Sequence, residues 1–281
     1  MATEATQTEE APQPATTPEP APARHRAIVT GASSGIGAEF ARQLARKCYD
    51  VVIVARRRGR LEELANELAE RGAAAEVIEA DLSRPEGVGA VVERLSKGDI
   101  SFLVNNAGFG SRGHFVALPL ERELEEIDLN VRALTQLSHT ALGPMKAKRA
   151  GTIINVASTG AYQPVPYMST YAATKAYVLS FSEGLHEEAK AYGVTVTCLC
   201  PGYVMTEFQQ VAGLDRAKMP DRGRLTPAQV VAAALKGASE GRAIVIPGTM
   251  NRALVTGLVR VTPRFAVRRI AGNLFKDAGS S

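Results

Sequence analysis

The sequence predicts an α/β protein built as one doubly wound domain, with about seven parallel strands flanked by helices, and three observations carry that expectation. Short runs rich in Val and Ile alternate with amphipathic stretches from residue 26 onward. The runs are apolar almost throughout, as strands covered on both faces are, and lack the polar alternation of half-exposed strands. The stretches between them are long enough for the helical crossovers that parallel neighbours require.

Each element has its own signal. A first strand over 27–30 ends in the turn Gly-Ala-Ser-Ser-Gly-Ile-Gly, and a helix follows through Lys47. A second strand covers 51–55, and the helix after it is closed by Gly72, a residue suited to the left-handed position past a helix end. Residues 75–79 form a third strand and 85–97 a helix that Pro85 can begin. A fourth strand spans 100–104, and a long helical stretch over 118–148 is expected to break near Gly143 and Pro144. The fifth strand is 152–156, a long helix covers 169–192, and the sixth strand is 194–200. Beyond Pro201 come polar loops, a helix over 226–240 and a short strand over 243–246. The crossovers are expected to be right-handed.

Composition narrows the function classes. Hydrophobic residues make up 45% of the 281 and charged residues 22%, a balance that can bury a sizeable core. Aromatics are 5% and tryptophan is absent, which argues against a base-stacking platform. The net charge of +4 has no continuous basic stripe in the first two hundred residues, so no nucleic-acid partner is expected. Cys48, Cys198 and Cys200 form no disulfide framework and suit a reducing compartment; Cys198 and Cys200, two apart on a strand, read as buried core thiols. Residues 1–24 are acidic and rich in Pro, Thr and Ala, and are expected to form a disordered tail without the features of a secretory signal. No apolar run reaches membrane-spanning length, and the expected location is cytoplasmic.

The cofactor signals lie at strand ends. Gly31, Gly35 and Gly37 punctuate a strand-to-helix junction that also holds Ser33, Ser34 and Ile36. Glycines there let the backbone approach a pyrophosphate, and the helix start offers unpaired N–H groups, as in a Rossmann-type dinucleotide fold. The second strand ends in Ala55 followed by Arg56, Arg57 and Arg58, where an NAD-selective fold places an acid. A guanidinium can bind a 2′-phosphate bidentately, so NADP(H) is the expected cofactor, with Arg56 the contact and Arg57 and Arg58 read as a solvated helix start. Asp81 and Leu82 follow the third strand, and Asn105, Asn106, Ala107 and Gly108 the fourth; both loops are placed to line the adenosine.

Tyr171 and Lys175 stand four apart on a predicted helix and so share one face. A cation there is expected to draw the phenol down from its usual ~10 toward the range useful for proton transfer. Ser158 ends the fifth strand, where its hydroxyl can orient a substrate oxygen, and Asn130 is a polar residue among apolar neighbours, by itself readable as a satisfied buried amide. His25, His114, His139 and His186 lack ligand spacing, and no metal is expected.

Through TGASSGIG, Asp81-Leu82, NNAG, Asn130, Ser158, YAATK and Pro201-Gly202, kept in order over residues 26–210, the chain resembles the short-chain dehydrogenase/reductase family. In texture it is nearest to members that reduce long-chain 3-ketoacyl thioesters or steroids. The resemblance implies that Tyr171 exchanges the proton of a carbonyl/alcohol pair and that Lys175 tunes it and holds the nicotinamide ribose. It further implies that Ser158 positions the substrate oxygen and that Asn130 holds a water linking Lys175 to solvent. Pro201, Gly202 and Thr206 would cradle the nicotinamide end, and a homodimer or homotetramer is implied.

Phe109, Tyr162, Pro164, Tyr167, Tyr203, Met205 and Phe208 fall in loops expected over the site and suit an apolar carbonyl or alcohol substrate, or equally a loop packed on itself. The expected organisation is a catalytic cofactor-binding domain over 25–248 and a basic amphipathic extension over 249–281. That extension reads as a helix packed on the domain, or as a basic amphipathic segment that makes a peripheral membrane contact or receives an acyl-CoA phosphate. The competing functional classes are a nucleotide-binding regulator that lost its chemistry and a membrane-associated interaction protein.

Overall fold

A computed structural model describes residues 24–215 and 224–277. Seven parallel strands, β1 (His25–Thr30), β2 (Tyr49–Ala55), β3 (Ala75–Glu79), β4 (Ile100–Asn105), β5 (Gly151–Val156), β6 (Val194–Leu199) and β7 (Ile244–Val245), form one sheet in the order β3-β2-β1-β4-β5-β6-β7. The chain therefore winds outward twice from β1, once in each direction. Between β1 and β4 the strand order reverses, and a crevice opens at their carboxyl ends.

Eleven α-helical segments are described: α1 (Gly35–Arg46), α2 (Arg58–Glu70), α3 (Pro85–Ser96), α4 (Leu120–Ile127), α5 (Leu134–Lys148), α6 (Ser169–Lys190), α7 (Phe208–Val211), α8 (Pro227–Ser239), α9 (Thr249–Ala253), α10 (Val259–Val261) and α11 (Arg264–Asp277). The continuous apolar strands supply both faces of the sheet. On one face Val29, Val51 and Ile53 pack with Phe40 and Leu44 of α1, Leu61 and Leu64 of α2, and Val230 of α8. On the other, Ile28, Val52 and Leu103 pack with Val91 of α3, Leu137 of α5 and Ala189 of α6. Leu44 and Leu137 are both essentially inaccessible, and each such burial contributes roughly 2 kcal/mol.

The long helix predicted over 118–148 is interrupted elsewhere than expected. Pro144 sits inside α5, which continues past it, because Leu137, Ala141 and Met145 at four-residue spacing anchor one buried stripe. The irregularity falls instead at a π-helical turn, Asp128–Ala133, between α4 and α5. Such a turn redirects side chains locally, and it places Asn130 in the interior. The seventh strand is shorter than predicted, and the expected tail lies outside the described residues except for Arg24, which pairs with Asp50 at 2.8 Å.

A buried polar chain fastens the centre of the sheet to the helices beneath it. Asn105 Nδ2 donates to Ser138 Oγ on α5 and to Asn155 Oδ1 on β5, each at 2.9 Å. Asn155 Nδ2 donates in turn to Ser182 Oγ on α6 at 3.0 Å. Cys198 and Cys200 are buried free thiols, as read from their spacing, with Sγ atoms 3.7 Å apart.

Candidate active site

Thr30 ties the two strand ends that flank the crevice. Its buried hydroxyl accepts from the backbone N–H groups of Asn106 and Ala107, each at 3.0 Å, and donates to Val104 O at 3.2 Å. The glycine turn follows directly. Gly31 has φ +66°, and a Cβ there would lie 2.8 Å from Asn106 Nδ2 and 2.9 Å from Ala107 Cα. The turn and the Asn-Asn-Ala-Gly loop therefore touch backbone to backbone, which only glycine permits. Ser34, the cap of α1, makes no side-chain capping bond, so it leaves the N–H groups of the first turn beside the cavity that Ser33, Ser34, Gly35 and Ile36 line.

That cavity, about 350 Å³, runs along the strand ends from Arg56, Arg57, Asp81 and Leu82 past Ala107 and Gly108 to Tyr171 and Lys175, with Pro201 and Thr206 on its rim. Most of the residues picked out from the sequence meet here. Three cofactor-binding candidates do not. Asn105 is turned into the buried chain beneath the sheet; its neighbour Asn106 lines the cavity and donates to Thr30 O at 2.9 Å. Gly37 sits behind the turn, where a Cβ would come within 2.2 Å of Gly31 O, so it serves close helix packing. Gly202 faces α9, and the Asn251 side chain occupies the space beside it, 2.6 Å from where a Cβ would stand.

Arg57 stays exposed, as a solvated helix start requires, but it also reaches the glycine turn. Its guanidinium donates to Ser33 Oγ at 2.9 Å and to Ser34 Oγ at 3.1 Å, and it pairs with Glu207 at 2.8 Å. Arg56 also lines the cavity, 3.8 Å from Asp81, whereas Arg58 turns away to Glu62. Two guanidinium groups at the end of β2 and free N–H groups at α1 form a donor set suited to a phosphorylated nucleotide. The sequence signal for Arg57 was the Arg-Arg-Arg run, which does not tell which member turns inward.

At the other end, α6 delivers Tyr171 and Lys175 from successive turns. Lys175 is buried and donates to Val156 O at 2.9 Å, with its ammonium 5.8 Å from the centre of the Tyr171 ring. Burial pushes the lysine down to about 8, partly offset by the carboxylate of Glu126. Burial likewise raises the Tyr171 phenol to about 12, while a hydrogen bond with the Ser158 hydroxyl pulls it the other way. The net direction is opposite to the one expected from the Tyr–Lys spacing, because desolvation outweighs the Ser158 hydrogen bond and the Glu126 carboxylate adds to the rise. Ser158 Oγ also accepts from Gly160 N at 3.0 Å, which fixes the hydroxyl at the end of β5.

Asn130 does not reach the cavity wall but stands behind it. Its amide donates to Phe109 O at 2.9 Å and Thr174 Oγ1 at 3.1 Å, and its carbonyl accepts from Phe109 N at 3.2 Å. A Cβ on Gly108 would be 2.8 Å from Asn130 Oδ1 and 3.2 Å from Lys175 Nζ, so the missing side chain lets the loop pass close to both atoms. Glu126, one turn before Asn130, was not singled out from the sequence; it is fully buried, with Oε2 accepting from Ser111 N at 2.9 Å.

The aromatic loops divide. Phe109 and Phe208 line the cavity, and Tyr167, Tyr171, Tyr203 and Phe208 join a cluster with Val165, Met168 and Phe275. Tyr162 packs elsewhere, against the Cys198 side of the sheet, and Met205 is exposed.

A family model described as short chain dehydrogenase matches residues 25–217. The chain belongs to that family. Members are NAD(P)-dependent oxidoreductases that act on CH–OH groups and bind a small-molecule substrate together with the nucleotide. The very-long-chain 3-oxoacyl-CoA reductase of Anas platyrhynchos is 31% identical over 218 residues, 74% of this chain and 67% of that protein. Hydroxysteroid dehydrogenase-like protein 1 of Gallus gallus is 33% identical over 186 residues, 65% of this chain and 56% of that protein. This short-chain dehydrogenase thus spans a little over half of the chicken relative's length. A short-chain dehydrogenase of Sphingobium yanoikuyae solved with NADPH superposes with a TM-score of 0.77 at 36% identity, covering 85% of this chain and 97% of that one.

Proposed function

We propose that this short-chain dehydrogenase interconverts a carbonyl and a secondary alcohol on an apolar substrate with NADP(H). The observation that carries the reading is the joining, in one cavity, of a doubly cationic, glycine-lined end at Arg56 and Arg57 with a Tyr171–Lys175 pair at the other. NADP(H) is favoured because no acid stands at the end of β2, where Ala55 is followed by three arginines, two of which line the cavity. A nicotinamide nucleotide supplies the hydride when bound; the chain's own groups bind, align and move the proton.

In reduction the Tyr171 hydroxyl gives its proton to the carbonyl oxygen, and in oxidation the phenolate takes the proton of the alcohol. Ser158 holds the substrate oxygen in line with that hydroxyl. Lys175, anchored on Val156 O, stabilises the phenolate as it forms. Asn130 Oδ1 and Lys175 Nζ both stand against Gly108, and a water held by Asn130 would pass protons to Lys175. Phe109 and Phe208 line the cavity, and Val165, Met168 and Tyr203 pack with Phe208 around Tyr171, an apolar surround that favours a long-chain 3-ketoacyl thioester or a steroid-like ketone.

Fluorescence titration of NADPH and NADH tests the cofactor assignment, with Arg56→Ala and Arg57→Ala beside the wild type. Tight NADPH binding that falls toward the NADH value in the variants is the expected result. Equal affinity for both nucleotides in all three proteins would overturn it. Reduction assays with 3-ketoacyl thioesters and ketosteroids then decide the substrate class.

A further inference from the structure

The C-terminal residues are folded onto the domain and yet present an apolar, cationic outer surface. Val267, Ala271 and Phe275, four residues apart, form the buried stripe of α11. Phe275 enters the cluster that contains Val165, Met168 and Tyr171, and Arg112 clamps the helix end by donating to Phe275 O at 2.6 Å and Lys276 O at 3.0 Å. Away from this seam, Leu258, Val261, Phe265 and Ile270 are 60–80% exposed, and Met250, Leu254 and Leu274 are exposed as well. Single exposed aliphatics are ordinary on a protein surface, but seven within twenty-five residues are not.

The same segment carries six cations, Arg252, Arg260, Arg264, Arg268, Arg269 and Lys276, and no acidic residue between Arg242 and Lys276. All six are exposed. They interleave with the apolar side chains, as in Arg260-Val261, Arg264-Phe265 and Arg269-Ile270. No helix among the described residues is long and apolar enough to cross a membrane, so a bilayer would be met in the plane of its surface.

We propose that residues 250–276 dock this protein on an anionic lipid bilayer, the aliphatic and Phe265 side chains entering the headgroup boundary and the six cations meeting lipid phosphates. A second copy of the chain is the other occupant an apolar face can take. A two-fold interface sets the same patch against itself, and here that would oppose six cations to six with no carboxylate between them. Charge complementarity selects the anionic bilayer. The buried stripe of α11 reaches the cluster around Tyr171 through Phe275, which sets the docked segment beside the proposed active site; that last clause rests on the proposed function, while the docking does not.

The test is co-sedimentation of the full chain with vesicles of phosphatidylcholine, with and without phosphatidylglycerol, in the absence of cofactor and substrate. Each cation near an anionic surface strengthens partition roughly fivefold. The wild type is therefore expected to bind the anionic vesicles at least tenfold more tightly, with the preference declining as salt is raised. Reversing three cations together (Arg264→Glu, Arg268→Glu, Arg269→Glu) is expected to lose at least tenfold. The pair Phe265→Ser and Ile270→Ser is expected to lose binding while thermal melting stays as in the wild type. Equal sedimentation with both vesicle types, or no change in either variant, would overturn the proposal. So would sedimentation-velocity data showing a dimer that the serine pair abolishes, in a protein that binds no vesicle. Because lipid binding is read without turnover, a failed reductase assay leaves this result intact.

Discussion

Arg57 lies 2.8 Å from the carboxylate of Glu207 while its guanidinium also donates to Ser33 and Ser34, so a residue of β2's end is pinned across the glycine turn to the loop after β6. Both partners are about half exposed, and the pair itself contributes little stability. Its consequence is for binding. The Glu207 carboxylate offsets one of the two cations available to a 2′-phosphate. Glu207→Gln is expected to tighten NADPH about threefold and leave NADH unchanged, whereas Arg57→Ala weakens NADPH about tenfold or more. Isothermal titration with both nucleotides checks this; equal effects on NADH would remove the 2′-phosphate from the explanation.

Gly108 lets its loop pass close to both Asn130 Oδ1 and Lys175 Nζ. Gly108→Ala would put a methyl group 2.8 Å from the first and 3.2 Å from the second. Turnover is expected to drop by roughly tenfold to a hundredfold while NADPH affinity changes a few-fold at most. Steady-state kinetics set beside the binding titration separates the two. A parallel loss in both would mean that Gly108 serves cofactor fit alone.

Glu126 sits fully buried in the wall behind Lys175, and burial pushes its carboxyl from 4.5 up to about 7. The folded state thus holds this proton more readily than the unfolded chain does. Stability falls as pH rises between those two values, and the whole cost is present above about 7. Glu126→Gln removes the charge and keeps an acceptor for Ser111 N. It is expected to stabilise the protein at about pH 8, by on the order of 3 kcal/mol at most, and to be nearly neutral at about pH 4. Urea melts at the two pH values report the difference; a gain that is the same at both would refute the titration.

Thr30 gathers three hydrogen bonds on one buried hydroxyl at the strand switch point. Thr30→Val keeps the shape and leaves two loop N–H groups without that acceptor. A loss of about 2 kcal/mol in chemical denaturation is expected, together with weaker nucleotide binding, because the Asn-Asn-Ala-Gly loop is no longer tied to the glycine turn. Unchanged stability would show that the loop holds its place by packing alone.

Much of this was legible because it depends on local pattern. Apolar runs fixed the strands, and the glycine turn, Ala55-Arg56 and the Tyr171–Lys175 spacing each mark a strand end or a helix face that the fold must bring to one crevice. What escaped depends on direction. Asn105 and Asn106 are neighbours at the end of β4 and point to opposite faces, so composition alone cannot say which one meets a ligand. Arg56 and Arg57 pose the same problem where β2 gives way to a helix. The π-helical turn at Asp128–Ala133 carries the buried Asn130 and has no breaker residue to mark it, while Pro144, the obvious breaker, is carried by the buried stripe of α5. Glu126 resembled any acid of a charged helix until the loop at Ser111 closed over it.

The most direct test of the proposed chemistry is single-turnover reduction by the NADPH-loaded enzyme, with wild type and Tyr171→Phe compared on one accepted ketone. NADPH affinity is measured on the same preparations. Loss of the phenol is expected to slow the step by about a thousandfold with NADPH binding nearly unchanged, since only the proton donor at the carbonyl oxygen has gone. A variant that turned over within a few-fold of the wild type would contradict the assignment of Tyr171 as the group that moves the proton.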